Sequence, residues 1–207
     1  MRRAWPARAF MRAQQGVAAI EAALVLPIMV FFIVGIVELY QYYRADAIMT
    51  RASFSVADGL AMQPDLHAGG PCNLTDHVCT YGAIMPELMR PVDYAQGGTL
   101  QIRLFTTQEK TTGSGKNITS QTVWKTSPEW GRTCNGAGTC SSFTGAYQGT
   151  DMPAPNKDDT ILVVEVIQEY EPFMISSRFW QALGGKKTLK STSFYRPRFD
   201  DLKTLQN

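Results

Sequence analysis

One carboxylate, Glu21, lies near the beginning of an apolar run that extends from Val17 to Val37 and contains no other charged residue. An acidic side chain at the centre of a membrane helix costs about 2.5–3.5 kcal/mol, and the cost is lower one turn from the end. A negative charge in the first turn also complements the helix dipole. Two interpretations remain open: Glu21 reaches water in the interfacial zone, or it binds a cationic partner.

Four cysteines and two histidines are the other residues with distinctive chemistry. The cysteines form two close pairs, Cys72 with Cys79 and Cys134 with Cys140, and an even count predicts disulfides in an oxidising compartment. Of three possible connectivities, local pairs would each contribute roughly 2.4 kcal/mol and cross-pairs about 4 kcal/mol. We favour the local pairs because nearby thiols meet first. His77 lies between Cys72 and Cys79, but this spacing matches no standard zinc pattern, which favours a disulfide over a metal site.

No arrangement typical of catalysis or of cofactor binding is recognisable. Glu165, Glu169 and Glu171 lie on or beside a predicted strand, where we expect exposed positions rather than acid and base pairs. The segment 113–117 contains Gly-Ser-Gly-Lys, but residue 110 is Lys and residue 117 is Asn, whereas a phosphate-binding loop requires Gly and then Ser or Thr at these positions. We therefore expect no enzymatic activity, no cofactor and no metal site.

The element that positions Glu21 is predicted to be a membrane helix. The 21 residues from Val17 to Val37 would form a helix about 31 Å long, which matches the hydrocarbon core of a bilayer. The run also lacks the polar face of a soluble amphipathic helix. A cleaved secretory signal is the alternative, but its apolar region is usually only about 7–15 residues long. No small-x-small site follows the run directly, so a retained anchor is favoured.

The charges that flank the run predict its orientation. Residues 1–16 carry four arginines and no acidic residue, whereas the far flank carries Glu38, Arg44 and Asp46. The positive-inside rule therefore places the N-terminus in the cytoplasm and the following domain across the membrane. Without these four arginines the chain has fewer basic than acidic residues, which disfavours nucleic-acid binding.

The segment QQGVAAIEAALVLPIMVFFIVGIVELYQYY resembles the N-terminal signature of the TadE/TadF-like minor pseudopilins of the tight-adherence (Tad, type IVc) pilus system. A looser likeness covers ILVVEVIQEYEP and SFYRPRF in the C-terminal half. In such proteins a short basic leader ends in glycine, a prepilin peptidase cuts after that glycine, and glutamate stands at mature position five. Gly16 and Glu21 match this spacing, so the resemblance implies that cleavage leaves Val17 as the new N-terminus. Val17 differs from the aromatic residue common after the cut in major pilins.

The resemblance implies a non-enzymatic, single-pass subunit of the bacterial inner membrane, with its C-terminal domain in the periplasm. It would assist assembly of a Tad pilus used in adhesion and surface colonisation. Its partners would be a prepilin peptidase, other pilin-like subunits and the assembly machinery. Cleavage would create an amine on Val17 that Glu21 could bind on its own or a neighbouring helix. The alternative is an uncleaved single-pass anchored periplasmic binding or adhesion domain, and an anchored enzyme ranks behind both.

The chain divides into a basic leader (1–16), a transmembrane helix (17–37), a stalk helix (38–60) and an exported domain (61–207). Apolar side chains recur at intervals of three and four in the stalk, at Ala45, Ile48, Ala52, Val56 and Leu60. We expect this stripe to hold the domain, and Asp58-Gly59 to end the helix with glycine as its cap. Pro27 removes one backbone hydrogen bond and should bend the membrane segment.

Alternating polarity and β-branched residues predict strands at 99–107, 118–126, 160–171 and 188–196. The first two form a hairpin, and the third should be central in the sheet. We expect 127–159 to be a loop, 83–89 and 173–183 to be short helices, and the residues after 196 to be a polar tail. The predicted fold class is α+β: a long N-terminal transmembrane and stalk helix followed by a small antiparallel β-sheet domain with disulfide-bearing loops.

Overall fold

The computed structural model describes residues 7–67, 77–112, 119–170, 187–199, 202–203 and 205–206, with the side chains of 7–18 and 206 left out. Cys72 and the predicted helix at 173–183 lie outside this part. The described elements are, in chain order, α1 (Ala7–Ala61), β1 (Leu66–His67), α2 (His77–Leu88), β2 (Thr99–Thr112), β3 (Thr119–Trp124), β4 (Trp130–Asn135), β5 (Cys140–Ser142), β6 (Thr160–Tyr170), β7 (Lys187–Tyr195) and β8 (Leu205–Gln206).

Helix α1 runs without interruption from the apolar segment into the domain, as the sequence predicted. Beyond Glu38 one face of the helix is buried, at Ala45, Met49, Ala52, Val56 and Leu60. The intervals of three and four residues bring these side chains onto one stripe, which packs against the sheet. The predicted stripe is confirmed, with Met49 as a further fully buried member and Ile48 half-buried. The boundaries between leader, membrane and stalk segments remain predictions, since one helix runs through all three.

The predicted end of α1 is wrong by three residues, because the helix continues past Asp58 to Ala61. Gly59 is also not a left-handed cap, since the described glycines with positive φ are Gly97 and Gly138. Gly59 instead allows α2 to approach α1 closely, because a Cβ at Gly59 would overlap the hydroxyl group of Tyr81 on α2. A glycine that resembles a helix stop in the sequence therefore makes room for the second helix.

The main sheet has the strand order β5-β4-β2-β6-β7, and its described pairs are all antiparallel. The first half of β2 lies between β4 and β6, and its second half pairs with β3 from Thr107 to Thr112. The predicted hairpin of β2 and β3 and the central position of β6 are confirmed. The expectation of a loop over 127–159 is wrong, because β4 and β5 lie there. These strands are short and lack a clear alternation of apolar and polar residues. Pairing with β2 holds β4 in place.

The core lies between α1 and one face of the sheet. Leu100, Ile102 and Leu104 of β2 alternate with the residues of the opposite face, and β6 contributes Leu162, Val164 and Val166. Each such side chain stabilises the fold by about 1.5–3 kcal/mol relative to an exposed one. A polar contact lies where α1 crosses β7, because the Ser53 hydroxyl hydrogen-bonds those of Ser191 at 3.1 Å and Ser193 at 2.9 Å.

The C-terminal segment is not a free polar tail. Leu202 is buried, and its carbonyl oxygen accepts a hydrogen bond of 2.8 Å from the Trp130 indole N–H. Strand β8 pairs in parallel with β1, which follows α1 directly. The composition after residue 196 is polar, but one buried leucine and one aromatic donor attach this segment to the domain.

Candidate functional site

Gly16, Val17 and Glu21 all lie on α1. The peptide bond between Gly16 and Val17 is part of a helical backbone. Glu21 is exposed, as are the apolar residues around it. The cleavage and pairing roles of these three residues remain predictions, and the structure adds that they belong to one continuous helix with the domain.

Among the residues that the structure describes, none covers the apolar half of α1. Its most apolar 18-residue window has a mean hydropathy of 2.7, and none of that window is buried. Pro27 lies inside the helix, and α1 continues on both sides of it. Soluble proteins rarely expose a continuous apolar surface of this size. This one long apolar helix therefore fits a single-pass membrane anchor.

The domain contacts α1 immediately beyond the apolar half. Glu38, which is 5% exposed, accepts a hydrogen bond of 2.8 Å from the Tyr170 hydroxyl at the end of β6. The Tyr170 ring packs edge-on against Tyr42, with 5.6 Å between ring centroids, and the Lys187 ammonium lies 5.6 Å from the centre of the Tyr42 ring. Burial, followed by the hydrogen bond to Glu38, raises the pKa of Tyr170. This junction fixes the domain to the helix within one residue of Val37.

No local sequence pattern identifies this junction. In the sequence Glu38 stands out only as a flanking charge, and Tyr170 carries no distinctive signal. A signal was present, because Glu38 is an acidic residue directly after 16 uncharged ones. Its partner could not be found from local pattern, since the two residues are 132 positions apart.

Beside the junction lies an open groove of about 790 Å³. Its walls are α1, the loop after α2 and the end of β6, and the residues that line it are Gln41, Arg44, Ala45, Ile48, Pro91, Val92, Asp93, Gln96, Gly97, Gln168, Glu169 and Tyr170. Most of the polar groups come from two sides: Gln41 and Arg44 from the helix, and Asp93 and Gln168 from the domain. The groove therefore has an apolar floor with polar groups on two sides, and it lies close to the end of the apolar segment.

The sheet face opposite α1 carries a cluster of buried charges. Glu165 is 1% exposed and pairs with Arg103 and Lys190. The Arg103 guanidinium lies 4.9 Å from the centre of the Phe143 ring, and burial lowers its pKa, opposed by the attraction of Glu165. The expectation that Glu165 is an exposed strand residue is wrong, because the segment after β5 covers this face of the sheet. Glu169 is exposed as expected, and Glu171 lies outside the described residues.

The cluster around Glu165 has the character of a structural ion pair. Its two cations pair with the carboxylate, and Phe105, Ile161 and Val163 form a small apolar core beside it. Breaking a buried pair by removing one partner leaves an uncompensated charge, which is why such groups are retained as a set. The cluster lies on the far side of the sheet from α1 and does not belong to the membrane junction.

The predicted local disulfide between Cys134 and Cys140 is confirmed. The two cysteines lie opposite each other on β4 and β5, and they pack against α2, where a Cβ at Gly82 would lie 2.9 Å from each sulfur. Cys79 is also disulfide-bonded, and its predicted partner, Cys72, lies outside the described residues. Among the residues that the structure describes, no group of three His, Cys, Asp or Glu residues could hold a metal ion.

The comparisons with known proteins agree with the location of the apolar helix. The family model of TadE-like proteins matches residues 16–58, from Gly16 to the last turn of α1. Neither the curated proteins nor the solved structures gave a significant match to the chain. The resemblance seen in the sequence is therefore confirmed: residues 16–58 are TadE-like, as in a TadE-like protein of the Tad pilus.

Proposed function

We propose that this chain is a minor pseudopilin that assists assembly of a Tad pilus used in adhesion and surface colonisation. It acts without enzymatic activity as a single-pass inner-membrane subunit, with its N-terminus in the cytoplasm and its domain in the periplasm. The observation that carries this proposal is the TadE-like match, which begins at Gly16, the glycine that the spacing to Glu21 marks as the end of the leader.

Processing by a prepilin peptidase requires local unwinding of α1 at Gly16. Glycine favours this step, because it is about 1 kcal/mol worse than alanine in a helix and accepts extended conformations. The cut releases the basic leader and creates a free α-amino group on Val17, which has a pKa of about 7.7–8.0 in model peptides. The leader arginines then no longer hold the N-terminus at the cytoplasmic surface.

Glu21 supplies the assembly contact. Residues four apart lie on the same helix face, so the Glu21 carboxylate can bind the Val17 amine of its own helix. It can equally bind the amine of a packed neighbour, because Glu21 is exposed and small side chains surround it at Ala19, Ala22 and Ala23. Small residues let membrane helices approach closely. An ion pair between two helices removes two unpaired charges from the apolar layer, which favours bundling.

The first experiment is N-terminal and intact-mass analysis of the membrane-extracted protein, expressed together with a prepilin peptidase. We expect a mature chain that begins at Val17, and we expect Gly16→Leu to retain the leader. Gly35→Leu is the matched control, because it changes a glycine of the same helix where a Cβ meets nothing within 4 Å. A wild-type chain that keeps residues 2–16 would contradict the processing step and favour an uncleaved, anchored binding or adhesion domain.

The second experiment tests Glu21 after cleavage has been established. Glu21→Ala should be inserted and cleaved normally but should co-purify with fewer pilin-like subunits, because the amine of the neighbour loses its partner. Leu24→Ala, an exposed position nearby on the same helix, should leave association unchanged. Equal recovery of partners with wild type and Glu21→Ala would remove the pairing role.

A further inference from the structure

We infer that the groove beside the membrane junction is a binding site for a phospholipid headgroup that carries both a phosphate and a primary ammonium group. The site comprises Arg44 on α1 and Asp93 and Gln168 on the domain, which face the same groove of about 790 Å³. The inference requires only the membrane anchor and does not depend on a role in a pilus.

The position of the groove along α1 matches the headgroup layer. If Val37 is the last residue in hydrocarbon, Gln41 lies about 6 Å beyond it and Arg44 about 10 Å. The polar layer on each side of a bilayer is about 5–8 Å thick, and a long arginine side chain can reach back into it. Tyr40 and Tyr43 are exposed on the same turns of the helix, as expected for tyrosines at a membrane interface.

The helix side of the groove offers a cation for a phosphate group. Arg44 is exposed, and it takes part in none of the ion pairs between described residues. The guanidinium fork binds phosphate oxygens in a bidentate manner. The amide of Gln41, one turn earlier on the same wall, is a further donor.

The domain side of the groove offers acceptors for an ammonium group. Gln168 is 4% exposed, and its Nε2 atom donates to the backbone carbonyls of Asp93, Gln96 and Glu169. This arrangement fixes the orientation of the amide, and Oε1 has no hydrogen-bond partner among the described residues. An unsatisfied buried acceptor is unfavourable, and a donor seated in the groove can pair with Oε1 after a small shift of the amide. Asp93 and Glu169, both exposed at the same wall, add negative charge, and Asp93 Oδ2 also accepts a hydrogen bond of 2.8 Å from Gln96.

The two sides together select a zwitterion. A phosphate alone would pair with Arg44 but would share the groove with the carboxylates of Asp93 and Glu169, whereas an ammonium alone would share it with the Arg44 guanidinium group. An ethanolamine phospholipid carries both groups a few bonds apart and is held at this depth by its acyl chains. A choline phospholipid has the same charges but no N–H donor, so it cannot satisfy Oε1 of Gln168.

The test uses the full chain in mixed micelles with equimolar ethanolamine, choline and glycerol phospholipids, and native mass spectrometry to count the lipids that it retains. We expect the ethanolamine lipid to be retained roughly tenfold more than the choline lipid, which corresponds to about 1.4 kcal/mol, because only its ammonium group can donate a hydrogen bond in the groove. Asp93→Asn should reduce this preference, and Arg44→Gln should reduce retention of all three lipids.

Asp46→Asn and Arg51→Gln are matched controls, because both positions are exposed on α1 outside the groove, and both should behave as wild type. Thermal unfolding of each variant establishes that it is folded. Equal retention of ethanolamine and choline lipids, preferential retention of the glycerol lipid, or equal losses in the controls would overturn the inference. If soluble glycerophosphoethanolamine at equal concentration displaced the lipid, the groove would recognise the headgroup without its acyl chains. That result would contradict the inference that the ligand is a membrane lipid.

Discussion

The two halves of α1 are stabilised by different surroundings although they form one helix. Residues 19–37 are apolar on every side except at Glu21 and are left uncovered by the described part of the domain, whereas residues 38–61 carry one apolar stripe that is buried against the sheet. A helix that is apolar all round matches lipid, and a helix with one apolar stripe matches a domain surface in water. The change occurs within one turn, at Glu38.

This comparison indicates how the chain couples its anchor to its domain. The buried stripe and the contact between Glu38 and Tyr170 fix the second half of α1 to β6 and β7. Because no break separates the two halves, the domain begins where the membrane segment ends. In the proposed pseudopilin, the exposed half remains available for packing against other helices, and the domain is held close to the membrane surface.

The largest expected effect comes from placing a new charge in each half. Val56→Asp puts an unpaired carboxylate in the core and should reduce the free energy of unfolding by more than about 4 kcal/mol. Val30→Asp, at an exposed position of the apolar half, should leave unfolding of the domain unchanged but should impair membrane insertion by about 2.5–3.5 kcal/mol. The effect on stability is measured by thermal unfolding of the full chain in micelles, and the effect on insertion is measured by carbonate extraction of membranes.

The comparison between the halves would fail if Val30→Asp destabilised the domain as strongly as Val56→Asp. It would also fail if Val56→Asp left the unfolding transition in place. The wild-type chain and Val30→Ala, which removes side-chain volume without adding charge, separate the effect of charge from that of packing.

Both halves of α1 could be predicted from the sequence because each carries a periodic signal. The alternation in β2 and the β-branched run in β6 gave the central strands in the same way. The partners of Glu165 could not be predicted, since the strand pattern assigns it to the solvent face and the covering segment after β5 has no regular pattern. Gly59 and Tyr81 illustrate the same limit: the glycine was recognised, but the close approach that requires it depends on a second helix.

In the candidate site, the sequence predicts roles only for residues that lie within one segment and gives no signal for residues that tertiary contact brings together. Gly16 and Glu21 are recognised by their spacing along one segment. The groove combines Arg44 with Asp93 and Gln168, which come from α1, a loop and β6, and no pattern within a single segment connects them. The local disulfide between Cys134 and Cys140 was predicted because the two cysteines are only six residues apart.

A smaller effect is expected at the junction between the halves. Tyr170→Phe removes the hydrogen bond to the Glu38 carboxylate and should reduce the free energy of unfolding by about 1.5–3 kcal/mol. Tyr40→Phe changes an exposed tyrosine of the same region and should have little effect. Urea unfolding of the full chain in micelles gives both values, and equal stability of Tyr170→Phe and wild type would show that the contact does not hold the junction.

The same residue predicts a dependence of stability on pH. Burial and Glu38 raise the pKa of Tyr170 above its ordinary value of 10.0, so the folded state retains the proton to higher pH than the unfolded state. The contribution is therefore fully present below pH 10 and is lost as the pH rises towards the folded pKa. Tyr170→Phe should show a shallower fall of the unfolding temperature above pH 10, and an identical slope would contradict this account.

The smallest effect distinguishes two serines of the buried half. Ser53 faces the sheet and bonds Ser191 and Ser193, whereas Ser55, two residues later, is exposed. Ser53→Ala should reduce the free energy of unfolding by about 0.5–1.5 kcal/mol, because both strand hydroxyls lose the Ser53 hydroxyl and Ser191 keeps only a contact of 3.4 Å with Thr50. Ser55→Ala should change it by less than about 0.5 kcal/mol in either direction, since it removes no such contact. Chemical denaturation of both variants in the full chain makes the comparison. Equal changes in the free energy of unfolding would mean that α1 is held on β7 by its apolar stripe alone. A larger loss of stability for Ser53→Ala would mean that the polar contact also helps to fix the register of the helix on the sheet.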